Sequence, residues 1–221
     1  MADYQLPDSA KHWMQSMEKK MDEQRANLRG RDPVRVAHNS GAQWKKDDQG
    51  NEMLSLNFIR QPLIVQIPGY TINDTDGNQV STMTQGLVTS YLETANGAQR
   101  GHKWIAFREL PDGMFYHQAF DGYTGAVLAR IFGDDLKAFQ RGAKIVGGDP
   151  LSGFGDAAYQ FHVLPNLWMA AVYWLGDEED GFPPQAKLLF DRAADQYLIT
   201  DGLAIIGSHL VRQIIKAADK Q

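Results

Sequence analysis

Residues 161–175 read FHVLPNLWMAAVYWL, and Trp168 to Leu175 lies within the longest uninterrupted apolar run in the chain. It is far shorter than the roughly 20 apolar residues that a membrane-spanning helix needs. Short apolar, aromatic runs of this kind are buried strands, so the stretch is expected to form one or two of them. Outward from it, Lys187 to Phe190 is a further strand candidate. Upstream, Met53 to Ile59 and Leu63 to Ile67 read as strands, followed by a turn at Asp74 to Gly77. The alternation from Trp104 to Glu109, a Pro111-Asp-Gly113 turn and a return arm over Met114 to Phe120 predict a hairpin. Residues 147–155 hold four glycines and one proline and are expected to be a loop.

Helical spacing accounts for most of what lies between the strands. Pro7, Asp8 and Ser9 start a helix that runs to Leu28 and stops at Gly30, with Trp13, Met14, Met17, Met21 and Leu28 near one face. Asp32-Pro33 opens a second short segment, because proline suits a first helical turn. Thr82 or Thr84 is expected to cap a helix ending at Asn96-Gly97, and Thr200 with Asp201 to cap the last one. A helical stretch over 123–145 is expected to break at Gly133. The resulting expectation is an α+β fold, with a mostly antiparallel sheet flanked by helices at 8–28, 84–96, 123–145 and 201–218. Residues 1–30 are read as an N-terminal helix packing on the body, and 31–221 as a single domain. Phe58 and Pro62 are spaced as Phe161 and Pro165 are, and the ungapped alignment also matches Tyr70 with Tyr173 and Asp74 with Asp177. Both segments then reach an acidic Asp-Gly turn and a helix, which suggests two related β-plus-helix units.

Composition narrows the function classes. The chain has 221 residues, 43% of them hydrophobic, and a formal charge of −5. This composition is globular rather than disordered. It has no cysteine, which excludes a disulfide framework, a thiolate nucleophile and an iron–sulfur cluster held by its own cysteines. No apolar stretch follows the N-terminal charges, so a soluble, cytoplasmic protein without membrane contact is expected. Residues 1–46 carry nine Lys/Arg and six Asp/Glu, but the signs are interleaved as on a solvated helix face. No nucleic-acid partner is expected, since a basic patch with interleaved aromatics is not evident.

No phosphate-binding loop, dinucleotide fingerprint, zinc-protease motif or nucleophile elbow is present. Chemistry would therefore have to come from residues that the fold assembles. His117 and His162 are the histidines expected on core strands, and Arg108 shares a predicted strand face with Trp104. Asp149 and Asp156 are on the glycine-rich loop, where a mobile segment could place them. Trp174, with Trp168 and Tyr173, could line a pocket for a flat ligand. These six residues (Arg108, His117, Asp149, Asp156, His162 and Trp174) are the candidate ligand-binding set. Without cysteine, a single metal would need imidazoles and carboxylates, with Met14, Met17 or Met21 as thioether ligands to haem or copper. Asp177, Glu178, Glu179 and Asp180 form an acidic cluster that reads first as a solvated turn, and second as a hard-cation site.

A set of ordered motifs gives a resemblance. They are Asp32-Pro33, Gly41-Ala42, Trp104 to Gly113 with Tyr116 and Phe120, and Gly147-Gly148. Gly155-Asp156, Pro165, Leu189-Phe190-Asp191, Tyr197-Leu198 and Asp201 complete the set. In this order, over about residues 20–216, the chain resembles the DUF3786 family, a domain of unknown function. The resemblance implies an anaerobic setting, and some relatives are fused to an iron–sulfur module of the type seen with corrinoid proteins. It implies a supporting role in anaerobic redox or one-carbon metabolism, with a redox, iron–sulfur or corrinoid protein as partner. It supplies no catalytic residues. Two readings stay open. One is a non-catalytic accessory protein holding a small ligand, with a tetrapyrrole or a single metal as the cofactor to look for. The other is an enzyme with a site assembled from Arg108, His117, Asp156 and His162.

Overall fold

The 161–175 run folds as two strands that turn at Pro165-Asn166, in a computed structural model that describes residues 8–177, 179 and 181–219. In chain order, helices α1 (Asp8–Arg29) and α2 (Pro33–Ser40) lead into strands β1 (Gln43–Lys46), β2 (Glu52–Phe58), β3 (Gln61–Ile67) and β4 (Thr71–Asp74). Helix α3 (Thr82–Thr94) and strand β5 (Trp104–Ala106) follow, then α4 (His117–Tyr123), α5 (Gly125–Phe132) and α6 (Leu136–Ile145). Strands β6 (Asp149–Pro150), β7 (Ala157–Leu164), β8 (Leu167–Trp174) and β9 (Gln185–Asp191) precede the last helix, α7 (Thr200–Ala218).

The fold is α+β, and its strands divide into two antiparallel sheets rather than one. The first has the order β1-β2-β3-β4 and the second the order β5-β9-β8-β7-β6. They meet where the Ile59 amide donates to the Val163 carbonyl at 3.0 Å. A continuous apolar core runs from Leu28 through Leu54, Phe58, Tyr91, Phe161 and Phe190 to Ile214. β2 and β3 alternate, with Leu54, Leu56, Phe58, Leu63 and Val65 buried, as expected of a sheet with one face in the core. β8 is buried over most of its length, which explains its unbroken apolar composition.

Local signals that rest on capping chemistry are observed with small shifts. The Asp32 carboxylate accepts from the Val34 amide and Pro33 sits in the first turn of α2. α3 is capped by Ser81, whose hydroxyl accepts from the Thr84 amide, rather than by Thr82 or Thr84. The residue preceding α7 is Ile199. Thr200 does not cap the helix but donates its hydroxyl to the Pro111 carbonyl at 2.6 Å. The 147–155 loop contains the two-residue edge strand β6. The side chains of Trp13, Met14 and Met17 lie outside the described residues, while Met21 is buried.

The hairpin expected over 104–120 does not form. β5 ends at Ala106, because the Glu109 carboxylate accepts the Ala106 amide at 2.7 Å and closes a 3-10 turn over Phe107–Glu109. Asp112 is left-handed (φ 58°) and Gly113 passes so close to the Phe107 carbonyl that a Cβ there would lie 2.0 Å from its oxygen. A second 3-10 turn (Gly113–Phe115) then leads into α4. β5 pairs with β9 instead. The aromatic alternation that mimics a strand reflects packing: Phe107 stacks on Phe120 with ring centroids 4.1 Å apart. His117 accordingly sits at the start of a helix, not in a strand.

The repeat is one of topology and not of residues. A helix, a four-stranded meander and a second helix occur twice, as α2-β1-β2-β3-β4-α3 and as α6-β6-β7-β8-β9-α7. The ungapped alignment fails, however. Pro62 pairs with Asn57 inside β3, whereas Pro165 forms the β7–β8 turn. Tyr70 lies in a turn with φ 52°, whereas Tyr173 is in the body of β8, opposite Ala157 and Ala186.

Candidate functional site

The second sheet sorts the sequence-predicted residues by side. Directly opposed residues in an antiparallel pair point to the same face, and faces alternate along a strand. His162 is opposite Trp168, and Asp149 is opposite Gln160. Asp149, Gln160, His162, Trp168 and Trp174 therefore share the face turned away from the core. Arg100 lies across it, with its guanidinium 4.1 Å from the Trp168 ring centroid and 5.6 Å from that of Trp104. It donates to Gln160 Oε1 at 2.9 Å, and its Nε stands 3.5 Å from Asp191 Oδ2. The buried Asp191 carboxylate also accepts the amides of Gly101, His102 and Ala193.

This cluster is tied up with itself. The His162 ring lies flat on Trp168 (4.3 Å, 9°) and its Nε2 is 2.5 Å from the Pro165 carbonyl oxygen. Its ring plane and that nitrogen are both committed, so His162 braces the β7–β8 turn. Arg100 and Asp191 pin the segment before β5 to the sheet. Asp156 accepts the Leu175 amide at 2.8 Å and closes the end of β8. Arg108 is exposed on the first 3-10 turn, and His117 Nδ1 is 2.9 Å from the Met114 carbonyl oxygen. Arg108, His117, Asp156 and His162 do not converge. β5 and β7 are separated by β9 and β8, and Asp156 and His162 stand about 20 Å apart along their strand. In the acidic turn, Asp177 pairs with Phe182 and its carboxylate accepts the Glu179 amide. Glu178 and Asp180 lie outside the described residues. Among the described residues, no three His, Asp or Glu side chains gather as a metal-binding set.

Several hollows lie elsewhere, a larger one of about 550 Å³ between α2 and the end of α3, and two that adjoin one another between α1, α3 and α7. One hollow of about 300 Å³ is lined, among the described residues, by Lys20 and Gln24 of α1, Met83 and Leu87 of α3, and Asp201 and Ile205 of α7. A second, of about 470 Å³, shares Met83 and Ile205 with it and adds Tyr123, Ser208, His209 and Arg212. Both volumes fall in the range of small-ligand sites. His209 is half-buried, with its ring 5.5 Å from that of Phe58. Burial, and then the Arg212 charge, hold its pKa below the ordinary imidazole range. The Gln213 amide nitrogen lies 3.3 Å from His209 Nε2, and as a donor it leaves the ring proton on Nδ1. Tyr123 is held neutral by burial and by the nearby Asp201.

Sequence reasoning passed over His209, Met83, Arg212 and Tyr123. The available signal was the polar set Ser208, His209 and Arg212 interrupting the apolar middle of the helix. Which wall that set faces depends on how α7 crosses α3, and no local pattern encodes that.

Fold and site together define an α+β protein with two antiparallel meanders and a helix-lined hollow. The chain belongs to the DUF3786 family, a domain of unknown function, which it matches over residues 32–213. Neither a search of curated proteins nor one of solved structures returns a match. No described helix is long and apolar enough to cross a membrane.

Proposed function

We propose that this protein is a non-catalytic accessory protein that holds a small ligand in the hollow between α3 and α7. The observation that carries this reading is the pairing of an imidazole kept neutral, His209, with the thioether of Met83 on the walls of one cleft. A neutral imidazole and a thioether are both ligands for a metal carried inside a flat macrocycle, the imidazole through Nε2 once that atom exchanges the Gln213 amide for the metal. The apolar wall suits such a ring, and the Arg212 guanidinium at the same cleft suits a carboxylate on it. A tetrapyrrole is the ligand class that uses all of these groups. In the setting implied by the family resemblance, the protein would support anaerobic redox or one-carbon metabolism beside an iron–sulfur or corrinoid protein.

The test is the ultraviolet–visible spectrum and metal content of protein purified without oxygen, followed by titration with haemin. A Soret-type band that shifts or vanishes in His209→Ala, and persists in His162→Ala, is the expected result. A colourless, metal-free protein that takes up no haemin overturns the reading.

A further inference from the structure

α7 presents a self-complementary stripe to the surface. Asp201, Ile205, Ser208 and Arg212 are the residues at spacings of four, three and four, which places them in line on one side of the helix. Asp201 and Arg212 are exposed and Ile205 and Ser208 half-buried, while Leu203, Ile206, Leu210 and Ile214 on the other side are in the core. The stripe is symmetric about its centre, with an acid at the N-terminal end, a base at the C-terminal end, and an apolar and a small residue between. Asp201 and Arg212 are about 16 Å apart along the axis. A second α7 laid antiparallel across the stripe sets each Asp201 against the other copy's Arg212, and each Ile205 against the other's Ser208. This is the arrangement that a two-fold interface requires, because the same patch must complement itself.

A second observation lies beside the Asp201 end. Phe115 is 84% exposed and Met114 60% exposed. They are not on a loose loop. The Phe115 amide donates to the Asp112 carbonyl, the Tyr116 hydroxyl donates to Asp201 at 3.0 Å, and Thr200 ties Pro111 to the start of α7. Several hydrogen bonds thus hold an aromatic side chain out in water, next to the acidic end of the stripe. Rigidly held, exposed large apolar side chains beside a self-complementary charged stripe mark interfaces. The first meander unit offers a counterpart, for its closing helix α3 is covered by α1 through Arg25 and Asn27.

We infer that α7 is a dimer interface, at which a second copy of this chain packs antiparallel with paired Asp201 and Arg212, and Phe115 of each copy sits at the Arg212 end of the other. The dimer does not depend on the ligand reading. If that reading holds, the second copy also closes the open side of the His209 hollow.

The experiment is sedimentation velocity on the full chain without added ligand, over a concentration series to about 100 µM. A dimer is expected for the native sequence. Asp201→Arg alone and Arg212→Asp alone are each expected to weaken dimerisation about tenfold or more, and the double variant Asp201→Arg/Arg212→Asp to restore it. Phe115→Glu is expected to give a monomer with an unchanged circular dichroism spectrum. A native chain that stays monomeric throughout overturns the inference. So does a dimer that is indifferent to Phe115→Glu, or one that the double variant fails to restore. A native dimer that takes up no haemin would count against the ligand reading alone.

Discussion

The two meander units share an order of elements and differ in how their closing helices are used. In the first, α3 packs against α1 and α2. Arg25 donates to Gln85 at 2.8 Å and to the Tyr70 carbonyl, Asn27 donates to Glu93, and Arg31 to the Glu93 carbonyl. In the second, α7 packs on α6 at very close range and leaves the Asp201–Arg212 stripe outside. The closing helix of the first unit is therefore covered by α1, and that of the second keeps a polar stripe at the surface. Similar topology places similar elements, but the polarity of each helix surface decides what is done with them.

The closest approach in the second unit should give the largest effect when broken. A Cβ on Gly142 of α6 would stand 2.3 Å from the Ile214 carbonyl oxygen of α7, so the two backbones touch there. Gly142→Val is expected to destabilise the fold by about 3 kcal/mol or more, since a packed backbone cannot yield cheaply. Urea denaturation measures it, and a loss below 1 kcal/mol would mean that α6 and α7 are free to separate.

The junction between the units comes next. The buried Tyr91 hydroxyl donates to the Ser40 carbonyl at 2.5 Å and accepts the Asn166 amide at 2.9 Å. It links α3 and α2 of the first unit to the β7–β8 turn of the second. Burial raises its pKa far above the normal phenol value, so it is a neutral donor throughout the working range. Tyr91→Phe leaves both partners without that bond and should cost about 2 kcal/mol. Thermal unfolding should stay a single transition if the core is continuous, and should split in two if Tyr91 alone couples the units.

The smallest effect sharpens the contrast between the helices. His209 has a lowered pKa in the folded state because burial disfavours its charge. The unfolded chain then binds a proton more readily than the folded one, so stability is complete above the ordinary imidazole pKa. It declines as the pH falls below about 6.5. His209→Gln should flatten that decline. An identical pH profile in wild type and variant would place the imidazole in full contact with water.

Much of this molecule is legible without coordinates wherever the signal is local. Asp32-Pro33 specifies a helix start through an N-cap and a fixed proline φ. The 52–67 alternation specifies a strand pair because every second side chain must be buried. The zero cysteine count removes whole classes of chemistry. The 104–120 segment departs from the hairpin its pattern predicts because aromatic residues at strand-like spacing also suit a pair of 3-10 turns and a helix, once Phe107 and Phe120 have each other to stack on. The division of the strands into two sheets, the locking of His162 onto Trp168 and Pro165, and the placing of Met83 and His209 on the walls of one hollow were all decided by tertiary structure. Each joins residues distant in the chain, and a pair of distant residues leaves no periodic trace in a sequence. What the chain determines alone is its elements, their caps and their apolar faces, because these follow from near-neighbour geometry and from water's rejection of apolar surface. Which faces meet, and so which side chains line the hollow, follows only from packing the whole core at once.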